Sequence, residues 1–324
     1  MVKIALLGAA GQIGTPLSLF CKASDLFDQI ALYDVVHVPG IATDLMHIDT
    51  RATVRGHLPD DSGLKNALNA ADIVVVTAGI ARKPGMTRDG KYTNASIIRD
   101  IFTEVAATCP KAICCVVTNP VNSTVPVAAE ALKKAGVFDP ARLFGVTTLD
   151  VVPASTFAAH ALGGNIDPRG FKVPVIGGHS GATILPLYSQ AQPPVDLEKD
   201  TLAAVINRVQ FGGDEIVKAK QGAGSATTCM AYAGFRFIKA IVASLNGTSV
   251  TEEAYVYLPG IAGGQEIASE LDVDYFAVKV TLGPNGATQA LPFGEISENE
   301  RDLLNVAIKD LKANIVIGLS FMSG

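Results

Sequence analysis

Val2-Lys3-Ile4-Ala5-Leu6-Leu7, followed by Gly8-Ala9-Ala10-Gly11-Gln12-Ile13-Gly14, decides the fold. A short β-rich apolar run stops at a glycine, and three glycines lead into a helical pattern. Gly8 permits a tight turn, Gly11 lets the backbone approach a pyrophosphate, and Gly14 allows a helix to pack closely on a sheet. Gln12 and Ile13 lie at the helix N-terminus, whose free N–H groups and positive dipole end suit phosphate. The spacing is GxxGxxG rather than GxGxxG, and a glycine triplet alone is a weak signal. The supporting residue is Asp34, which ends the next apolar run, Gln29-Ile30-Ala31-Leu32-Tyr33-Asp34. A carboxylate there accepts both ribose hydroxyls of an adenosine and repels a 2′-phosphate, which favours NAD over NADP. The plainer alternative for Asp34 is a strand-end residue capping a turn.

Outward from this turn, short β-rich runs alternate with helical patterns, the signature of βαβ units and a parallel sheet. Strands are expected at 2–7, 29–34, 52–56, 72–77, 113–117 and 143–146, and helices at 12–23, 39–48, 92–108 and 121–135. Ile73-Val74-Val75-Val76 and Ile113-Cys114-Cys115-Val116-Val117 are nearly all apolar, as strands covered on both faces must be. After about residue 150 the character changes. A helix is expected at 149–162, Gly/Pro-punctuated strands around 172–187, helices at 199–220 and 227–245, a strand-like section at 252–283, and a last helix at 297–319 opened by a Ser297/Glu300 capping box. The expected organisation is a dinucleotide-binding domain over 1–147 and a catalytic, substrate-binding domain over 148–324. The fold class is α/β, a doubly wound parallel sheet followed by an α+β domain.

The bulk composition fits a globular protein with ample core material: of 324 residues, 48% are hydrophobic and 18% charged. With 26 Lys+Arg against 31 Asp+Glu the formal charge is −5, and no basic face is dense enough for nucleic acid. The apolar runs are short, so no membrane span is expected. Five cysteines without CxxC spacing point to reduced thiols in an intracellular compartment and to no structural zinc; Cys114 and Cys115 read as core. The first strand starts at Val2, leaving no room for a leader, and a processed organellar chain would read the same. The expectation is a soluble intracellular protein, cytoplasmic or, in processed form, of the mitochondrial matrix.

Several residue types suited to redox chemistry on a small anion stand out. Ala81-Arg82-Lys83-Pro84-Gly85-Met86-Thr87-Arg88 offers two guanidiniums in a Gly/Pro loop after a strand, and a guanidinium grips a carboxylate through two parallel hydrogen bonds. Alone it would read as a solvated basic loop. Moving a hydride at a carbon that bears oxygen requires a proton handled at that oxygen, and histidine suits the task. Of five histidines, His179 stands out in Val175-Ile176-Gly177-Gly178-His179-Ser180-Gly181. Asp150 would orient its ring; the alternative is a helix-start residue. Asn119, in Val117-Thr118-Asn119-Pro120, lies at the carboxyl end of a strand, where ligands of open α/β sheets bind. It either contacts substrate or terminates the strand before Pro120.

GAAGQIG, AGIARKPGMTR, VTNPVNST, FGVTTLDVV and VPVIGGHSGATILPL, in this order, strongly resemble the NAD-dependent malate dehydrogenases of the mitochondrial and bacterial branch. The resemblance runs from the first strand to the last helix and implies a Rossmann-type domain, NAD as cofactor, a small dicarboxylate substrate (malate or oxaloacetate) and a homodimer. It implies His179 as proton acceptor paired with Asp150, and Arg88 polarising the C2 oxygen. It further implies Arg82 on the distal carboxylate, Asn119 holding substrate, and Asn94, Val117 and Met230 lining the cofactor site. No metal is implied.

One departure stands out. The family continues LDVV with an arginine that would hold the C1 carboxylate, whereas this chain reads Leu149-Asp150-Val151-Val152-Pro153. Losing one member of a buried charge pair costs ~2–5 kcal/mol, or roughly thirtyfold to several-thousand-fold in rate. The resemblance therefore leaves two readings: malate/oxaloacetate interconversion, or a divergent NAD-binding relative that is weak on malate or acts on another 2-hydroxy acid. Asp89-Gly90-Lys91-Tyr92 also departs from the family, and Lys91 is a candidate substitute cation.

Overall fold

The computed structural model describes residues 1–80, 88–163 and 165–323, with the side chains of 61 and 88–92 outside that description. In chain order the elements are β1 (Lys3–Leu7), α1 (Gly14–Lys22), β2 (Gln29–Tyr33), α2 (Val38–Leu45), β3 (Thr53–His57), α3 (Gly63–Leu68), β4 (Ile73–Val76), α4 (Arg88–Thr108), β5 (Ile113–Val116), α5 (Val121–Lys134) and β6 (Leu143–Val146). There follow α6 (Thr148–Leu162), β7 (Val175–Gly177), β8 (Ile184–Pro186), α7 (Lys199–Ala219), α8 (Thr228–Leu245), β9 (Val250–Tyr257), α9 (Gly264–Leu271), β10 (Tyr275–Gly283), β11 (Gly286–Ala290) and α10 (Glu298–Ser323).

The first six strands are parallel and lie in the order β3-β2-β1-β4-β5-β6. This is the doubly wound arrangement, whose strand order reverses between β1 and β4. Ligands of such sheets bind in the crevice at that reversal, beyond the carboxyl ends of the strands. The all-apolar runs of β4 and β5 are fully buried, as two-sided cover by helices requires. Cys114 and Cys115 lie within this core, where burial pushes both thiols up, Cys115 to about 12.

The sheet does not stop at the end of the first half. β6 pairs antiparallel with β9, and the same sheet continues through β10, β7 and β8, with β11 on β10. Phe27, Phe102, Phe144 and Phe237 are fully buried against it, each worth roughly 2–3 kcal/mol of apolar burial. A second, smaller core joins α6, α7, β7 and β8 around Val151, Phe171, Val175 and Val209.

Three local expectations need correction. The segment at 252–283 is two strands separated by α9, which Gly263 opens in the left-handed region (φ +76°). α3 adds a short helix that the sequence reading passed over. α8 is long and apolar enough to cross a membrane by length and composition, contrary to the expectation that no segment is. Its residues Phe237, Ile238 and Ile241 are buried in the core of the sheet, so its apolarity serves packing.

Candidate active site

Two turns at strand ends carry the sequence-predicted residues. The first leaves β1. Gly8 has φ +91°, and a Cβ there would strike the backbone of Ala78, which leaves β4, the strand on the other side of the reversal. Only glycine combines that conformation with that approach. A Cβ on Gly14 would meet the Gly8 carbonyl, so the helix start and the turn need each other's glycine. Gly11 is exposed, with the Gly8 oxygen 3.2 Å from its ideal Cβ position.

Asp34 holds this turn from the neighbouring strand. Its Oδ2 accepts the Ala10 N–H at 2.8 Å and its Oδ1 accepts the Val35 N–H at 2.7 Å. A carboxylate offers about four lone-pair sites, so each oxygen retains capacity for a ribose hydroxyl. Gln12 and Ile13 lead into α1, where the Thr15 N–H donates to the Gly11 carbonyl at 3.0 Å and the Leu17 N–H to the Ile13 carbonyl at 3.1 Å. The glycine turn, the carboxylate and the positive end of the helix fit a dinucleotide.

At the carboxyl ends of β4 and β5 the structure places Asn94, Val117 and Asn119 together. Asn94 is buried; its Oδ1 accepts the Ile80 N–H at 2.8 Å, and its Nδ2 donates to the carbonyl of Asn119 at 2.8 Å. Its amide thus ties two strand-end loops to each other. Val117 is buried and donates its N–H to Val76. Asn119 is exposed, ahead of Pro120. Met230 is buried on α8, a helix bonded to the start of α6 through Thr148 Oγ1 and the Ala233 carbonyl at 2.9 Å.

The second turn leaves β7. His179 Nδ1 lies 2.7 Å from Asp150 Oδ2, with both side chains buried. Asp150 comes from the first turn of α6, so the pair joins elements 29 residues apart in sequence. Burial holds the Asp150 carboxyl above its ordinary range, while the charge and hydrogen bond of His179 pull it back down. Occupation of Nδ1 by the carboxylate fixes the tautomer and leaves Nε2 as the nitrogen that can exchange a proton with a ligand.

Arg82 lies outside the described residues, and Arg88 opens α4 with its side chain, like that of Lys91, also outside them. Pro153 is half-buried inside α6, and the helix runs on through it to Leu162. Because Pro153 follows Asp150 by three residues, it lies one turn further along the same helix face.

The structure also exposes a residue that the sequence reading missed. Asn122 on α5 is fully buried, and its Oδ1 accepts the backbone N–H of His179 at 2.7 Å. The available signal was polar residues embedded in the apolar pattern of α5, since buried amides must find partners.

Comparison with known proteins agrees along the whole chain. The lactate/malate dehydrogenase NAD-binding domain matches residues 2–145, and the lactate/malate dehydrogenase alpha/beta C-terminal domain matches 147–322. The mitochondrial malate dehydrogenase of Felis catus is 48% identical over 322 residues, covering 99% of this chain and 91% of the relative. That of Schizosaccharomyces pombe is 48% identical over 323 residues, with 99% and 92% covered. Among solved structures, the apo malate dehydrogenase of Picrophilus torridus superposes with a TM-score of 0.86 at 26% identity, covering 99% of this chain and 98% of the other. The lactate dehydrogenase of Eimeria maxima with NADH and oxamate gives 0.83 at 25% identity, with 100% and 96% covered.

Proposed function

The chain belongs to the lactate/malate dehydrogenase family, and from that premise we propose that it interconverts malate and oxaloacetate with NAD. The observation that carries the reading is the buried His179–Asp150 pair, in a chain that also carries a glycine turn with Asp34 and is nearly half identical to malate dehydrogenases along its length.

NAD supplies the hydride acceptor in one direction and donor in the other. With NAD bound, Gly8 and Gly14 would shape the turn in which Gly11, Gln12 and Ile13 take its pyrophosphate, Asp34 would take the ribose hydroxyls, and Asn94, Val117 and Met230 would border the cofactor. As the C2–H bond of malate breaks, the C2 hydroxyl proton passes to Nε2 of His179, and Asp150 stabilises the imidazolium that results. Arg88 polarises the C2 oxygen, Arg82 holds the distal carboxylate and Asn119 holds substrate. A charged clamp of that kind separates a dicarboxylate from pyruvate more steeply than an added methylene could.

A second copy of the chain is the proposed partner. α1, α2 and α8 share an apolar outer face with Leu19, Met46 and Tyr232 half exposed, and Phe20 stacks between α1 and α8 on Phe235. A groove of about 610 Å³ runs beside it, where Leu19, Ile41, Leu45 and Ile48 share the lining with the polar Gln12, Asp44, Lys220 and Thr227. The proposed setting is a soluble compartment, the cytoplasm or the mitochondrial matrix.

The test is steady-state NADH oxidation with oxaloacetate and with pyruvate, on this chain and on Pro153→Arg. Oxaloacetate turnover with far weaker pyruvate turnover is expected, and no turnover with any of a panel of 2-oxo acids would reject the reading. Pro153→Arg should raise kcat/KM for oxaloacetate by about thirtyfold or more. No gain would mean that another group already holds the C1 carboxylate.

A further inference from the structure

We infer that Asn122 is a positioning residue for the proton-handling histidine, setting His179 against Asp150 from the opposite side of the catalytic turn. The inference rests on the reading of His179 given above.

The side-chain amide of Asn122 has little freedom. Its Oδ1 accepts the His179 N–H at 2.7 Å. Its Nδ2 donates to Thr183 Oγ1 at 3.1 Å and to Asn314 Oδ1 on α10 at 3.2 Å. The backbone carbonyl of Asn122 accepts the Tyr255 hydroxyl of β9 at 3.2 Å, and the next residue, Ser123, donates its hydroxyl to the Asn314 carbonyl at 2.8 Å. Each partner selects one orientation of the amide, since a flip would set oxygen against the Asn314 oxygen and N–H against N–H.

The catalytic turn is shaped to meet this amide. A Cβ on Gly178 would lie 2.6 Å from Asn122 Oδ1 and 2.8 Å from Nδ2, so glycine is what lets the chain close on it. Thr183 then locks the far side of the turn, accepting the Ser180 N–H at 3.0 Å and donating to the Ser180 carbonyl at 2.9 Å. His179 is thereby held twice, by its backbone on α5 and by its ring on α6. α5 begins two residues after Asn119, so one short segment would set both the substrate-facing amide and the base. A base must lie within hydrogen-bond reach of the proton it takes, and about an ångström of misplacement costs on the order of a hundredfold in rate.

The test uses the full-length chain and its Asn122→Ala and Asn314→Ala variants, each checked for a cooperative thermal transition. The readouts are steady-state NADH oxidation with oxaloacetate and the far-downfield proton resonance of the His179 Nδ1–H, assigned by its loss in His179→Gln. Asn122→Ala is expected to lower kcat about a hundredfold, to leave the KM for NADH within about twofold, and to shift or broaden the resonance. An Asn122→Ala enzyme with the kcat and resonance of the unmodified chain overturns the inference. If Asn122→Ala does not fold, Asn314→Ala decides, because it frees one side of the amide and leaves the His179 bond intact. A several-fold fall in kcat with a shifted resonance supports the inference, and no change in either overturns it. An unmodified chain that turns over no 2-oxo acid defeats the functional reading instead, and the resonance alone then decides the role of Asn122.

Discussion

The turns after β1 and β7 both use glycine to pack closely and both have a nearby carboxylate, but they differ in what they leave open. Around Gly8–Gly14 the missing side chains bring Gly8 onto Ala78 and Gly14 onto Gly8, while Gly11 remains exposed. Asp34, half exposed, braces that turn through two backbone amides. Around Gly177–Gly181 every glycine with a close neighbour meets protein and none is left open as Gly11 is: the Thr183 carbonyl packs against Gly177, the Asn122 amide against Gly178 and the Phe211 ring against Gly181. The carboxylate there, Asp150, is buried and bonded to a ring. The first turn presents backbone to a large partner, whereas the second immobilises one side chain.

The sharpest way to break the second turn is to remove its ring. His179→Asn should lower kcat by about 10²–10⁴-fold while leaving NADH binding by fluorescence titration nearly unchanged. Equal losses of cofactor affinity and turnover would show that the two turns are not separable in function.

Next in size is a control for the cost of burying a carboxyl away from either turn. Glu253 on β9 is buried beside Glu252, and burial first, then that neighbour, push its carboxyl up to about 7 despite Lys279 and Arg236. Because the folded value exceeds the unfolded one of 4.5, this group's contribution is intact below pH 4.5 and is lost as pH rises through 7. Glu253→Gln should match the unmodified chain near pH 4.5 and exceed it by up to about 3 kcal/mol at pH 8 in urea unfolding. A difference that does not vary with pH would remove the titration of Glu253 as its cause.

Smaller effects separate the glycines. Gly178→Ala drives a methyl into the Asn122 amide and should cost about 1–3 kcal/mol of stability together with kcat, leaving the KM for NADH in place. Gly11→Ala is the mirror case: stability within about 0.5 kcal/mol, and NADH affinity lower by about tenfold through loss of close backbone approach. If Gly11→Ala instead unfolds the protein and spares the cofactor, the first turn is a packing device like the second.

Much of the cofactor half was legible because its rules are local. A buried parallel strand must be nearly all apolar, as β4 and β5 are, and a phosphate-binding turn must carry glycine at the strand end. The His179–Asp150 pair was legible because few residue types perform its chemistry. Short elements were not: α9 spans only Gly264–Leu271, too few residues for a helical period to emerge between two strands. Asn122 was hidden for a different reason. Its partners lie at His179, Thr183 and Asn314, and no local pattern announces hydrogen bonds that cross the chain. The capping box of α10 shows the same limit in part. Ser297 and Glu300 bond as their spacing predicts, yet the buried Glu300 also accepts the Ser189 N–H at 3.0 Å, a link that only the fold supplies.

The seam between β6 and β9 has a consequence for how the protein is made. The first half leaves the ribosome with β6 as the last strand of its parallel sheet, and the residues of β9 that pair with it, Ala254 and Tyr255, are synthesised more than a hundred residues later. Until then β6 presents an apolar row of unpaired N–H and C=O groups, a template for any other nascent chain. The interval between translation of these two strands is therefore when the growing polypeptide most needs a chaperone, and codons that slow elongation across α6 to α8 would lengthen that exposure.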